Sequence, residues 1–177
     1  MTPASRVPPT SSGSPSTGVD PTRPRAGALL VIGVGNRDRG DDAVGPAVCG
    51  LLATERSTND PDLRTLVLEG SVLDLAMHWT ETDRIVVVDA TPPAGNPGAI
   101  SVYDALSDRL EPPSALSSHA LDVGAAIEIA KALGRTPAEL TVIGIEAADI
   151  GHGGGLSPDV AVAARKVAGR LRADRPF

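Results

Sequence analysis

The sequence predicts an α/β protein, a three-layer sandwich in which a five-stranded, mostly parallel, twisted sheet with one antiparallel edge strand carries helices on both faces. Short runs of branched apolar residues alternate along the chain with segments of helical periodicity, which is the pattern of βαβ units. Apolar residues make up 41% of the 177 residues and aromatic residues only 2%, so the core is expected to consist of Val, Leu, Ile and Ala. Such a core is typical of a sheet covered by helices.

The first strand is predicted at residues 28–32, an uninterrupted apolar run that indicates burial on both faces. A glycine turn over residues 33–36 follows, where two glycines leave the backbone free to turn out of the sheet. A helix over residues 43–56 comes next. Asp41 or Asp42 is expected to begin it, because an N-cap aspartate accepts hydrogen bonds from free backbone amides and its charge favours the positive end of the helix dipole.

The middle of the chain contains three predicted strands and one helix. The second strand covers residues 64–68, and a helix that includes residues 72–79 follows it. The third strand, residues 84–89, ends in a carboxylate. Residues 98–103 come after a turn too short for a crossover helix, so they are predicted to form the antiparallel edge strand.

The last third of the chain repeats the helix and strand pattern. A helix is predicted over residues 123–133, after a polar stretch, and a fifth strand over residues 140–145. A glycine-rich loop over residues 146–155 follows this strand. Ser157 and Pro158 then open the final helix, since serine is a favoured N-cap and proline is favoured at the first helical position.

Composition indicates the domain boundaries and excludes some classes of partner. Residues 1–26 are rich in Pro, Ser and Thr and are predicted to be a disordered tail, which leaves residues 27–177 as one domain. A net charge of −6 argues against nucleic-acid and anionic-membrane partners, and no apolar segment is long enough to span a bilayer. Cys49 is the single cysteine and is interpreted as a small buried side chain. A cytoplasmic, soluble monomer is expected.

Three polar residues are predicted to lie at one edge of the sheet. If the first and third strands are parallel, their carboxyl ends meet at the crevice where open α/β sheets bind ligands, which places Asp42 and Asp89 there. His119 falls just before or within the first turn of a helix, where the dipole does not favour a protonated imidazole. Glu146 and His152 are expected nearby. Plain structural roles stay open as alternatives: a turn for Asp89, a surface loop for His152.

Two carboxylates and one imidazole suit a divalent transition metal and leave coordination positions for substrate or water. A nucleotide site is a weaker alternative. The dinucleotide fingerprint needs glycine where this chain has Asp38, and a phosphate loop needs Lys followed by Ser or Thr where this chain has Asp41 and Asp42. An acidic pair at this place repels phosphate and favours a cation.

Four segments of the chain, in this order, resemble the nickel-iron hydrogenase maturation endopeptidases over about residues 28–172. They are Gly33-x-Gly35-Asn36-x-x-Arg39-x-Asp41-Asp42-x-Val44-Gly45, Val88-Asp89-Ala90, Ser118-His119, and Gly144-Ile145-Glu146-Ala147 with the later Gly153-x-Gly155-Leu156-Ser157-Pro158. The chain departs from the family at Ala43, where many members have glycine, and some members have glutamate in place of Asp42.

The resemblance implies an endopeptidase that removes a C-terminal extension from the precursor of the hydrogenase large subunit after nickel has been inserted. Asp42, Asp89 and His119 match the family's three metal-contacting positions and are the implied catalytic residues. The nickel would belong to the precursor, and the protease would contact it. Two points stay open: whether the metal or a carboxylate activates water, and whether the protein is instead a metal-sensing chaperone that holds the precursor without cutting it.

Overall fold

A computed structural model describes residues 28–54, 62–69, 75, 77–81, 83–106 and 118–173, with side chains described in these ranges except at residues 118–123. The strands are β1 (Leu29–Val34), β2 (Leu63–Leu68), β3 (Arg84–Thr91), β4 (Ile100–Asp104) and β5 (Glu139–Glu146), and the α-helices are α1 (Val44–Thr54), α2 (Ser118–Ala132) and α3 (Pro158–Arg172). A 3₁₀ helix over Gly40–Ala43 leads into α1. The tail at residues 1–26 lies outside the described residues and stays a prediction, as does most of the helix expected near residues 72–79. Where that segment is described it is not α-helical: Leu75 and Met77 are in 3₁₀ conformation and Trp79 is outside any helix, so the predicted end of this helix is wrong.

The five strands form one sheet in the order β2-β1-β3-β5-β4. The pairs β1 with β2, β1 with β3, and β3 with β5 are parallel. β4 is antiparallel to β5 and lies at the edge, which confirms the predicted edge strand. The carboxyl ends of four strands therefore meet at one edge of the sheet, called here the carboxyl rim.

Helices cover both faces of the sheet. Side chains of successive strand residues point to opposite faces, so each buried strand contributes to both layers of the core. All six residues of β1 are buried. Leu29 and Val31 pack with residues of α1 and α3 on one face. Leu30, Ile32 and Val34 pack with residues of α2 and with Trp79 on the other. The predicted three-layer architecture is confirmed.

The first strand extends to Val34, so Gly33 is paired within β1 and the turn begins two residues later than predicted. Two helix boundaries also differ from the prediction. Neither Asp41 nor Asp42 caps α1, because both lie within the 3₁₀ helix, whose first residue follows Arg39 and which has no side-chain cap. The start of α2 is Ser118, five residues before the predicted start, so residues 118–121 are helical rather than irregular. Serine is among the residues that favour the beginning of a helix.

Cys49 lies in α1 and is buried, as predicted. Its Sγ lies 3.4 Å from the carbonyl oxygen of Leu66 in β2 and 3.7 Å from that of Val31 in β1. Burial raises the pKa of the thiol to about 11, so the thiol stays protonated at neutral pH. No helix within the described ranges has the length and apolar character needed to cross a bilayer.

Candidate functional site

The turn between β1 and α1 packs directly on the carboxyl rim. Gly35 has φ +131°, a conformation that side chains with a Cβ rarely adopt. A Cβ added at Gly45 would meet the backbone carbonyl oxygens of Val34 and Val88, which places the first turn of α1 against the ends of β1 and β3. The 3₁₀ helix that carries Asp42 contacts β3 as well. The turn and the end of β3 thus share the rim, as predicted.

Asp42 is buried, with 7% of its surface exposed. Its Oδ2 accepts a hydrogen bond from the backbone amide of Asn36, at 3.0 Å. The Oδ1 of Asn36 in turn accepts from the amide of Asp38 at 2.8 Å, which fixes the glycine turn. Within the described part of the chain, Oδ1 of Asp42 has no hydrogen-bond donor. Asp42 is therefore held at one oxygen and retains the other as a possible ligand.

Asp89 lies in β3, with 4% of its surface exposed. Its Oδ1 accepts from the amide of Ala90 at 2.8 Å. Gly33 of β1 pairs with Val88, so Asp89 lies one residue beyond the last pair between β1 and β3, at the carboxyl end of β1. Asp89 is an even number of residues from Ile85 and Val87, which pack on the α2 face, so Asp89 shares the face that α2 covers.

His119 lies in the first turn of α2, one of the two locations that the sequence indicated. Its side chain is outside the described part of the structure. The structure therefore places Asp42 and Asp89 at one rim, while the convergence of all three groups stays a prediction. Among the side chains that are described, no three His, Cys, Asp or Glu residues form a group able to hold a metal.

Asp41 has a role that the sequence did not indicate. It is fully buried, and its carboxylate accepts four hydrogen bonds from the segment after β5. Oδ2 accepts from the amides of Ala148 at 2.8 Å and Asp149 at 3.0 Å, and from the hydroxyl of Ser157 at 2.8 Å. Oδ1 accepts from the amide of Ser157 at 2.6 Å. Asp41 is thus bound to the start of α3 rather than to α1.

Glu146 also has a structural role. Its Oε1 accepts from the amides of Ala94 at 2.7 Å and Asn96 at 2.6 Å, and so closes the turn between β3 and β4. Its backbone amide donates to the carbonyl oxygen of Ala99 at 2.9 Å. His152, the other residue expected nearby, is exposed in the glycine loop. Through these hydrogen bonds to Oε1, Glu146 holds the turn between β3 and β4 at the carboxyl rim.

The pKa values of Asp41 and Glu146 are both lowered. Burial alone would raise the pKa of Asp41, but the donors from Asp149, Ser157 and Ala148 outweigh it and hold the pKa below its ordinary value. The amides of Asn96 and then Ala94 lower the pKa of Glu146 in the same way. Both groups are therefore carboxylates at neutral pH.

These pKa shifts predict acid sensitivity of the fold. A carboxyl group with a lowered native pKa contributes stability above its unfolded pKa, near 4, and the contribution is lost as pH falls through the native value. The free energy of unfolding in urea should therefore drop between pH 5 and pH 3, and should drop less steeply in Asp41→Asn. Equal pH dependence in the wild type and this variant would contradict the prediction.

Fold and rim together define an α/β protein with buried carboxylates at the carboxyl ends of its parallel strands. A family model described as hydrogenase maturation protease matches residues 57–172, which begin after the turn that carries Asp42. The chain is 32% identical over 143 residues to the hydrogenase expression/formation protein HupD of Bradyrhizobium diazoefficiens, a match that covers 79% of this chain and 73% of HupD. The chain belongs to the hydrogenase maturation protease family and is a peptidase.

Solved structures have the same fold. The [NiFe] hydrogenase maturation protease HybD from Thermococcus kodakarensis is similar, with a TM-score of 0.67 at 23% identity, over 84% of this chain and 99% of that one. The hydrogenase maturating endopeptidase HybD from E. coli has a TM-score of 0.64 at 22% identity, over 82% of this chain and 93% of that one. The predicted fold class is confirmed by these likenesses.

Proposed function

We propose that this protein is an endopeptidase that removes the C-terminal extension of the nickel-iron hydrogenase large-subunit precursor after nickel insertion. It recognises the nickel that the precursor holds through Asp42, Asp89 and His119. The family, and a relative named for hydrogenase expression and formation, support the substrate class. The protein is proposed to act as a monomer in the cytoplasm.

The observation that carries the proposal is the difference between the acidic residues of the rim. Asp41 accepts four hydrogen bonds, and Glu146 accepts two. Asp42 accepts one, from Asn36, and its second oxygen has no donor within the described residues. The donor-free oxygen of Asp42 is not among the described buried side-chain atoms that lack a partner, so it can take a cation as a ligand. The precursor's nickel is such a cation.

The reaction is hydrolysis of one peptide bond. Water adds to the carbonyl carbon of the scissile bond, the C–N bond breaks, and the amine leaves with a proton. Contact between nickel and the rim residues would place that bond beside the site, which lowers the entropic cost of reaction. The water is activated either by the metal, which lowers the pKa of bound water, or by one of the two site carboxylates acting as a general base.

The test is cleavage of purified precursor, loaded with nickel or free of it, followed by intact-mass measurement. The nickel-loaded precursor should lose one C-terminal peptide, and the nickel-free precursor should keep its full mass. Full mass in both samples, with a stable complex between the two proteins, would contradict the proposal and favour the metal-sensing chaperone. Equal cleavage of both samples would contradict the nickel recognition alone.

A further inference from the structure

The turn that carries Asp42 is bound along its length to the loop after β5. The carbonyl oxygen of Asp38 accepts from the amide of Gly153 at 2.9 Å, and Arg39 forms a parallel bridge with the same glycine. A Cβ added at Gly40 would lie 2.7 Å from the carbonyl oxygen of Asp149, so the two backbones are in close contact there. The turn is thus joined to the loop at successive residues.

Asp41 makes the largest share of these connections. Its backbone amide donates to the carbonyl oxygen of Asp149 at 2.8 Å, in addition to the four hydrogen bonds that its carboxylate accepts. These donors belong to Ala148, Asp149 and Ser157, more than a hundred residues along the chain. Both the main chain and the side chain of Asp41 are therefore fixed to the loop and to the beginning of α3.

Asp42 is the next residue in the 3₁₀ helix, and its backbone amide donates to the carbonyl oxygen of Arg39 at 2.9 Å. Fixing Asp41 to the loop therefore also restricts the backbone of Asp42. The other constraint on Asp42 is the hydrogen bond from the amide of Asn36. Its carboxylate is thus held between the glycine turn on one side and Asp41 on the other. Precise placement matters, because a displacement of about 1 Å at a reactive group can cost on the order of 100-fold in rate.

We infer that Asp41 is a positioning residue, which orients the carboxylate of Asp42 toward the substrate by binding the 3₁₀ helix to the loop after β5 and to the beginning of α3. This inference rests on the proposed function, since it assigns Asp42 to the site. The inference also gives the loop after β5 a role in the reaction, because this loop supplies hydrogen-bond donors to Asp41.

Asp83 provides a matched control for the effect of removing a buried carboxylate. It is fully buried, as Asp41 is, and its Oδ2 accepts from the amide of Thr80 at 2.7 Å. It directly precedes β3, at the opposite edge of the sheet from the rim. Among the described residues, Oδ1 of Asp83 is buried without a partner, so Asp83→Asn replaces a less fully bonded carboxylate than Asp41. It still tests the loss of a buried charge without touching the turn of Asp42.

The experiment compares Asp41→Asn with Asp83→Asn in single-turnover cleavage of nickel-loaded precursor. In Asp41→Asn one acceptor oxygen becomes an NH₂ group, which faces N–H and O–H donors and cannot accept from them. The turn must therefore shift, although the side-chain volume stays the same. Folded Asp41→Asn should cleave about 10- to 100-fold more slowly than the wild type, and Asp83→Asn within about twofold of it. The amide resonance of Asn36, which reports the position of Asp42, should shift in Asp41→Asn alone.

Ser157→Ala removes only the hydroxyl donor to Asp41 and leaves three amide donors. It should slow cleavage severalfold, and it keeps the inference testable if Asp41→Asn does not fold. Cleavage at the wild-type rate by folded Asp41→Asn, or by Ser157→Ala, would overturn the inference. So would an equal loss in Asp83→Asn, which would indicate general destabilisation.

Asp42→Asn separates the two proposals. If it abolishes cleavage while Asp41→Asn does not affect it, the positioning role fails and the proposed function stands. If Asp42→Asn itself cleaves at the wild-type rate, the assignment of Asp42 fails, and with it the functional meaning of Asp41.

Discussion

Replacing Asp42 by Asn should lower the rate of precursor cleavage by on the order of 100-fold or more, because the loss of an outer partner of a metal ligand already costs about 10- to 100-fold. The substitution keeps the size of the side chain and its hydrogen bond from Asn36, but it removes the charge that the precursor's nickel would meet. Asp89→Asn and His119→Ala should have effects of similar size. Single-turnover cleavage of nickel-loaded precursor measures all three.

Two further variants make this prediction sharper. Asp42→Glu keeps the charge and changes only the reach of the side chain, so it should retain much more activity than Asp42→Asn. Asp38→Asn removes an exposed carboxylate from the same turn and should cleave at nearly the wild-type rate. Cleavage by Asp42→Asn at the rate of Asp38→Asn would remove Asp42 from the site.

The fold could be predicted because its signals are local. β1 and β3 each contain an uninterrupted run of branched apolar residues, which is typical of strands buried on both faces. The short connection before β4 likewise excluded a crossover helix and so indicated an antiparallel strand. β4 pairs with β5, which follows it in the sequence by more than thirty residues. No local pattern encodes that choice of neighbour.

The positions of the candidate residues could be predicted from the sequence, but their hydrogen-bond partners could not, because those partners are distant along the chain. Asp42 and Asp89 were located by the rule that parallel strands end at one edge, which requires no knowledge of side-chain partners. The role of Asp41 depends on donors at Ala148, Asp149 and Ser157, and an aspartate before a helix is locally indistinguishable from an N-cap. Glu146 is a similar case, since its partners lie about fifty residues earlier, in the turn after β3.

The close packing of α1 on the rim predicts the largest effect on stability. A Cβ at Gly45 would lie 2.5 Å from the carbonyl oxygen of Val88 and 2.6 Å from the amide nitrogen of Val34. Both are backbone atoms of paired strands, so they cannot withdraw unless β1 and β3 separate or α1 moves off the sheet. Gly45→Ala should therefore lower the free energy of unfolding by about 3 kcal/mol, at the upper end of the usual cost of overpacking.

Gly50 offers a control in the same helix. It is exposed, and a Cβ added there would have nothing within 4 Å. Because alanine is a better helix former than glycine, Gly50→Ala should raise the free energy of unfolding by up to about 1 kcal/mol. Urea unfolding followed by circular dichroism measures both variants. Equal stability of the two variants would contradict the packing of α1 on β1 and β3. It would also contradict the placement of Asp42 at the carboxyl rim, because the turn that carries Asp42 is held between that helix and those strands.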